Sequence, residues 1–298
     1  MYLPAFTLGY AVPAGDFDSS VHSVFHSALN LRPSNGENLL TLVRSDEPDL
    51  PQGIRLDTPE GFSFENFQIG EQAICRQGIL SFENSGLAVQ LRGARRWECD
   101  LSGLEIDTGI PAVSTAWSLV WEALNQRQKR LHTEIVADDL LAEDKLISSG
   151  VSSKAGQAMR GLMKSTRHFD LTGTAAMEAL IGLGPGLTPC GDDLLAGYMA
   201  GLWCTVRKQK DRTHFISELG NRIIELSVRT NDISRTYLFH AVHGQVSSRI
   251  AALAEAIRGA EEPYRLLEAA EQAIQNGSTS GMDTVTGLLL GISAWGTG

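Results

Sequence analysis

Two aspartates, Asp193 and Asp283, introduce two similar glycine-containing segments and are the residues best placed to do chemistry. Residues 191–201 read Gly-Asp-Asp-Leu-Leu-Ala-Gly-Tyr-Met-Ala-Gly, and residues 281–291 read Gly-Met-Asp-Thr-Val-Thr-Gly-Leu-Leu-Leu-Gly. In a helix this spacing puts each acid and the two glycines after it on one face, which another backbone can approach closely. We therefore predict two glycine-faced helices. Their carboxylates meet at one site if the helices pack side by side and run in the same direction, and lie far apart if they are antiparallel.

A glycine-rich loop before the first helix predicts an anion-binding site. Gly182, Gly184 and Gly186 are followed by Thr188, the predicted N-cap, and Pro189, the predicted first helical residue. Backbone N–H groups at a helix N-terminus favour negative charge by about 0.3–1 kcal/mol at exposed positions. The loop is not a Walker A loop, and its glycine spacing is wrong for a dinucleotide fingerprint. A tight turn between two helices explains it equally well.

The carboxylates at the helix contact need partners. Asp193 requires a cation, a hydrogen-bond donor or a metal. If Asp283 joins it, either one of the two carboxyl groups is protonated near neutral pH or a cation bridges them. Magnesium is the natural candidate if phosphate is also present, although the residues alone establish no metal. Asp192 has a simpler explanation, because an acid in a first turn is favoured by the helix dipole.

Residues 230–235, Thr-Asn-Asp-Ile-Ser-Arg, form a third polar cluster. Arg235 is able to bind a carboxylate or phosphate through two parallel hydrogen bonds. The alternative is an ordinary helix N-terminus, with Asp232 or Ser234 as the cap. Cys190 is a poor thiolate candidate because acids adjoin it, although a helix N-terminus lowers a thiol pKa.

The elements that position these residues fall into two parts. Short runs rich in β-branched and large apolar residues, separated by hairpin-type turns, fill the part before residue 108. One helix is predicted there, from Asp16 to Leu29, where apolar residues recur with helical spacing. His22 and His26 on that helix are better explained as polar residues beside an apolar stripe than as half of a metal site.

From residue 108 onward the apolar pattern is helical. The predicted fold class is therefore α+β, with an N-terminal antiparallel β sheet or small barrel followed by an all-helical C-terminal domain. The predicted domains are 1–107, mainly β with one helix, and 108–298, which carries the glycine-rich motifs. Besides the helix after Pro189, the predicted helices are Val113–Arg130, Asp138–Ile147, Val151–His168, Thr174–Ile181, Phe215–Val228, Ser234–His243, Val246–Ile257, Pro263–Ile274 and Gly281–Trp295.

The net charge and the cysteine content restrict the kinds of partner and compartment that the sequence predicts. A net charge of −10 without a basic cluster argues against nucleic acid or an anionic membrane as the main partner. An anionic substrate would need a local site built from a few Arg side chains, backbone N–H groups or a metal. The four cysteines are scattered, which predicts reduced thiols in the cytoplasm. We expect no signal peptide and no membrane span.

Three segments make the chain similar to the AllH family: residues 182–197, 233–238 and 277–283. Named members of that family are subunits of an oxamate carbamoyltransferase of allantoin breakdown. The resemblance departs at Cys190, where Ser is usual, and at Met282, where Trp is usual, both beside the predicted site.

The resemblance implies a subunit that works with two other proteins to interconvert oxamate plus carbamoyl phosphate with oxalurate plus phosphate. The glycine loop is compatible with phosphate binding, Arg235 with carboxylate binding, and Thr279 and Ser280 with hydrogen-bond donation. The predicted catalytic residues are Asp192, Asp193, Asp283 and Arg235. The predicted substrate-binding residues are Gly184, Gly186, Leu187, Thr188, Gly191, Asn231, Ser234, Thr279 and Ser280.

Two alternatives stay open at this point. One is a non-catalytic assembly or ligand-sensing subunit, in which the same motifs serve packing and anion binding. The other is a magnesium-dependent hydrolase that uses the paired acids. Magnesium is the one cofactor considered. The predicted partners are a small anion, such as carbamoyl phosphate or oxamate, and the other subunits of a hetero-complex.

Overall fold

A computed structural model of the chain describes residues 1–36, 38–141, 150–171, 174–275, 277 and 279–295. The chain divides into two units, Met1–Cys99 and Asp100–Gly298. The first unit is built from β-strands and the second from helices, which confirms the predicted α+β class.

The first unit is a mixed β-barrel. Its strands are β1 Tyr2–Gly9, β2 Phe17–Val24, β3 Ala28–Pro33, β4 Leu40–Val43, β5 Gly53–Leu56, β6 Gln72–Arg76, β7 Ile79–Phe82, β8 Ala88–Gln90 and β9 Arg95–Trp97. The order β5-β4-β3-β2-β6-β7-β8-β1 is closed by a pairing of β1 with β5, and β9 pairs with the end of β1. The β1–β8, β1–β9 and β4–β5 pairs are parallel, so the predicted small barrel is confirmed with a mixed strand arrangement.

The helix predicted from Asp16 to Leu29 is wrong, because this stretch forms β2 and the start of β3. Val21 pairs with Leu31 of β3, and Ser19 pairs on the other side with Ala73 of β6. Ser19 and Val21 are buried, two residues apart, as on the inner face of a strand. Pairing with two neighbouring strands therefore overrides the weak helical spacing of the apolar residues.

The expected helical position of two histidines also changes with the structure. His22 lies on β2 and His26 in the turn after it, where His26 Nδ1 is 3.2 Å from Glu65 Oε2. β9 ends at Trp97, and Leu101–Gly103 form a single helical turn that Asp100 caps by accepting a hydrogen bond from the Ser102 N–H.

Helices make up the second unit. They are α1 Pro111–Leu131, α2 Ala137–Leu141, α3 Val151–His168, α4 Thr174–Leu180, α5 Cys190–Cys204, α6 Lys210–Leu226, α7 Asp232–Ala241, α8 Ser248–Gly259, α9 Pro263–Ile274 and α10 Ser280–Ile292. The bounds of α3 and α9 are the predicted ones, and the other helices differ by a few residues. The second half of the predicted helix Asp138–Ile147 lies outside the described residues. In the described part of the chain, no helix combines the length and apolarity needed to cross a bilayer.

The centre of the helical unit is the pair α5 and α10. Thirteen of the fifteen residues of α5 are buried, including all of 191–202, so α5 is enclosed on every side. α10 is buried in the same way over 281–283 and 285–292. The outer helices bury one stripe each, as α3 does through Met159, Leu162 and Thr166. Both predicted glycine-faced helices therefore lie in the interior, where neighbours surround them.

Candidate functional site

The two central helices touch through their glycines and run in the same direction. A Cβ atom added to Gly197 would lie 1.9 Å from the Thr284 carbonyl oxygen, and one added to Gly201 would lie 2.3 Å from that of Leu288. Reciprocally, a Cβ on Gly287 would lie 2.1 Å from the Leu194 oxygen. The partner numbers rise together along both helices, as they do only in a parallel pair. The prediction of two glycine-faced helices is confirmed, and of its two alternatives the parallel one holds.

The parallel arrangement puts Asp193 and Asp283 at the same end of the pair, close enough to affect each other. Asp193 is 7 % exposed and Asp283 is 4 % exposed. Burial, with the charge of Asp283 as a smaller cause, raises the pKa of Asp193 well above its usual value. Burial, and secondarily the charge of Glu134, raises the pKa of Asp283 to about 8. Burial therefore favours the protonated, neutral form of both carboxyl groups.

The hydrogen bonds of Asp193 are incomplete. The Ser280 hydroxyl, from the first residue of α10, hydrogen-bonds its carboxyl group. Its Oδ2 atom is fully buried and has no hydrogen-bond partner among the described residues. Buried polar atoms in folded proteins nearly always have such a partner. Asp193 therefore has a free bonding position at a fully buried atom.

The glycine loop before α5 depends on backbone conformations that glycine favours. Gly184 has φ +105° and Gly186 has φ +94°. A Cβ on Gly191 would lie 2.0 Å from the Leu180 carbonyl oxygen, so the start of α5 packs directly on the end of α4. The helix begins one residue later than predicted. Pro189, with extended backbone at ψ 137°, is the N-cap, and no side chain caps the helix.

Asp192 joins the glycine loop to the segment before α7. Its Oδ1 accepts a hydrogen bond from the Gly182 N–H at 2.8 Å, and its Oδ2 accepts one from the Thr230 hydroxyl at 2.5 Å. Burial raises the pKa of Asp192, and these hydrogen bonds oppose that shift. With both oxygens engaged and 2 % exposure, Asp192 is placed to position the loop rather than to contact a ligand.

The start of α7 reaches the same loop. The Asn231 side-chain oxygen accepts hydrogen bonds from the N–H groups of Ile233 and Ser234, so Asn231 is the cap, and the predicted caps Asp232 and Ser234 are wrong. Asn231 caps the helix because it directly precedes the first helical residue, and its side-chain oxygen reaches the N–H groups of the second and third helical residues. The buried Ser234 hydroxyl donates to the Leu187 carbonyl oxygen at 3.4 Å and also hydrogen-bonds Asp192.

Arg235 occupies the first turn of α7 beside these contacts. Its Nη1 atom is 3.9 Å from Asp232 Oδ1, and its side chain is 29 % exposed. This separation is too long for a hydrogen bond, so the guanidinium keeps its capacity for a bidentate partner. Of the remaining predicted residues, Thr279 is the exposed N-cap residue of α10 without a side-chain capping bond, and Thr188 is half-buried in the loop. Ser278 lies outside the described residues.

Cys190 adjoins the acids as a neutral thiol. Burial, together with the charges of Asp283, Glu134 and Asp193, raises its pKa to about 12. Its Sγ donates a weak hydrogen bond to the Leu183 carbonyl oxygen at 3.2 Å. This high pKa agrees with the expectation that Cys190 is a poor thiolate candidate.

The structure thus brings together most of the predicted site residues at the starts of α5, α7 and α10. Two contributors were missed. Thr230 stood in the polar cluster that the sequence singled out, but nothing paired it with Asp192, and Glu134 carries no motif. Within the described ranges, no three His, Cys, Asp or Glu side chains are grouped so as to hold a metal ion. A separate groove in the barrel, lined by 10–14 and 96–98, contains none of these residues.

Comparison with protein families gives two matches. Residues 180–292 match the family described as oxamate carbamoyltransferase subunit AllH, and residues 8–96 match the AllH family N-terminal domain. The first match spans the glycine loop, α5, α7 and α10, and the second lies within the barrel unit. No solved structure matches the chain. On these two matches, which together cover most of its length, the chain belongs to the AllH family.

Proposed function

We propose that this chain is a subunit of a carbamoyltransferase and that it binds a small anion where α5, α7 and α10 begin. The observation that carries the proposal is the joining of three helix N-termini around a buried acid pair. Asp192 bonds to Thr230, Ser234 to Leu187, and Ser280 to Asp193. Helix N-termini favour anions through their N–H groups and dipoles, and three of them reinforce one another.

The state of the acids removes the main electrostatic objection to an anion. Charged Asp193 and Asp283 would repel phosphate or carboxylate. Burial raises both pKa values, to about 8 for Asp283, and so lowers the negative charge that the pair carries. Arg235 then supplies the cation, because its contact with Asp232 is loose enough to be exchanged for a ligand carboxylate.

The reaction we propose is transfer of a carbamoyl group between phosphate and oxamate. In the direction of oxalurate synthesis, the oxamate nitrogen forms a bond to the carbamoyl carbon and loses a proton, while the bond from that carbon to the phosphate oxygen breaks. The helix N-termini hold the phosphate, and Arg235 holds the oxamate carboxylate. Positioning and charge neutralisation are the contributions of this chain. The family description, a subunit of oxamate carbamoyltransferase, supports this assignment and the presence of other subunits. A place in allantoin breakdown in the cytoplasm is part of the same proposal.

The test is phosphate release from carbamoyl phosphate, with and without oxamate, by the chain alone and with its partner subunits. We expect oxamate-dependent release that Arg235→Ala lowers by at least tenfold, since a charge-assisted bidentate pair is lost. Arg265→Ala is the matched control. Arg265 also lies in a first turn and also forms a loose pair with an acid, Glu261, at 4.0 Å.

The same experiment separates the alternatives. Activity that needs the partner subunits but is unchanged by Arg235→Ala identifies a non-catalytic assembly or sensing subunit. Phosphate release that requires magnesium and ignores oxamate identifies a hydrolase. The described residues show no cluster of metal ligands that would favour this second alternative.

A further inference from the structure

The unpartnered Oδ2 atom of Asp193 is the most specific feature of the site. The residue is 7 % exposed, and Oδ2 is buried without a hydrogen bond from any described residue. Its other bonding capacity is engaged by Ser280. An orphaned buried oxygen of this kind indicates a position that a ligand fills, since unpaired buried polar atoms are rare in folded proteins.

The groups around Oδ2 restrict which ligand atom reaches it. The ionisable neighbours of Asp193 are Cys190 and Asp192 on α5 and Asp283 on α10, and Glu134, between α1 and α2, acts on Cys190 and Asp283. All are acids, so a phosphate or carboxylate oxygen placed against Oδ2 would be repelled whenever any of them ionises. An uncharged polar group is the better occupant of this position.

We propose that Asp193 and Asp283 form the receptor for a carbamoyl or primary amide group, which the Oδ2 atom of Asp193 contacts directly. This inference rests on the proposed function and names the part of the substrate that this end of the site recognises. The anionic part of the same molecule lies toward the helix N-termini and Arg235.

The chemistry of the two groups is complementary. A primary amide presents a carbonyl oxygen, which accepts, beside an NH2 group, which donates. A neutral carboxyl group presents an O–H donor beside a carbonyl acceptor, whereas a carboxylate only accepts. Burial favours the neutral form of both acids by raising their pKa values, and a protonated member of the pair offers the donor that an amide oxygen needs. Oxalate has a carboxylate in place of the amide of oxamate, and it lacks that match.

The experiment is calorimetric titration of the full chain with oxamate and with oxalate at pH 7. We expect oxamate to bind about tenfold more tightly, because oxalate has no NH2 group and leaves the buried acceptor without a donor. Asp193→Val should weaken oxamate binding about tenfold and change oxalate binding by less than threefold. Asp211→Val is the control, since Asp211 also lies in a helix first turn but is exposed.

Asp193→Asn tests the same point without changing the shape of the side chain. It keeps one donor and one acceptor without a charge, so it should retain most of the oxamate affinity that Asp193→Val loses. If Asp193 acted as a carboxylate, both variants would lose it. Infrared spectra give an independent readout: oxamate should shift a protonated-carboxyl band that is missing from Asp193→Asn.

The results that would overturn this inference differ from those that would overturn the proposed function. The inference is overturned if oxalate and phosphate bind in an Arg235-dependent manner while oxamate gains nothing over oxalate. It is also overturned if oxamate leaves the carboxyl band unchanged. If oxamate, oxalate and carbamoyl phosphate all fail to bind, even with the partner subunits present, the proposed function fails and the inference fails with it.

Discussion

Replacing Gly197 by alanine adds one methyl group at the tightest contact between α5 and α10. The new Cβ would lie 1.9 Å from the Thr284 oxygen and 2.8 Å from the Leu288 nitrogen and the Thr284 carbon. All three are backbone atoms, so no side chain can rotate away. Ordinary Cβ contacts begin near 3.4 Å, so the helices must separate locally by about 1.5 Å, the difference between 3.4 Å and 1.9 Å.

The energetic outcome is a balance of two terms. Overpacking a close-packed interior costs about 1–3 kcal/mol, and a rigid backbone obstacle puts Gly197→Ala at the upper end of that range. Against this, alanine gains about 1 kcal/mol over glycine in a helix interior. We therefore expect a net loss of about 2 kcal/mol in the free energy of unfolding. Since Gly197 is one turn from Asp193, oxamate binding should weaken as well.

The measurement is urea unfolding of the purified chain, followed by far-ultraviolet circular dichroism. Gly161→Ala is the matched control, because Gly161 also lies inside a helix, α3, but its Cβ would meet Ala176 Cβ at an ordinary 3.6 Å. That variant should gain up to about 1 kcal/mol. If Gly197→Ala unfolds at the same urea concentration as Gly161→Ala or later, the close packing of α5 against α10 is refuted.

Two further predictions concern the acids. Asp192→Ala leaves the Gly182 N–H and the Thr230 hydroxyl without their acceptor and should lower the free energy of unfolding by about 1–3 kcal/mol; a double-mutant cycle with Thr230→Val that shows simple additivity would contradict the bridge. Asp283 has a pKa of about 8 in the folded chain, against 3.8 for an unperturbed aspartate, so the folded state holds the extra proton between these values. The contribution of Asp283 to stability should therefore be fully present below about pH 4 and fall toward pH 8 by up to about 1.4 kcal/mol per pH unit, and Asp283→Asn should remove that part of the slope in urea titrations.

Much of the site architecture was accessible from the sequence, because the relevant signal is local. The spacing of Asp193, Gly197 and Gly201 fixes one helix face, and the matching triplet from Asp283 onward fixes another. What the spacing left open was the relative direction of the two helices. That depends on the path of the chain through α6 to α9, which no short motif encodes.

The predictions that the structure contradicts, and the contacts that the sequence did not reveal, also have specific causes. β2 was predicted as a helix because Phe17, Val21 and Val24 recur with helical spacing, yet its partners β3 and β6 decide the outcome. The bond between Asp192 and Thr230 joins residues 38 positions apart, and no pattern in either segment announces it. The N-cap of α7 is Asn231 rather than Asp232 or Ser234, because these neighbouring polar residues differ in backbone geometry, which the sequence does not show.

The two similar segments, residues 191–201 and 281–291, differ in the contacts that hold their first turns in place. Asp192 holds the first copy by hydrogen bonds to two separate stretches of chain. The equivalent residue in the second copy is Met282, whose apolar side chain forms no such hydrogen bonds. Met282 is itself 2 % exposed, so the second copy relies on packing alone at that point. At this position the first copy is held by hydrogen bonds and the second by packing. Any local opening to admit a molecule should therefore begin at the start of α10, where the hydrogen bond of Ser280 to Asp193 would have to break.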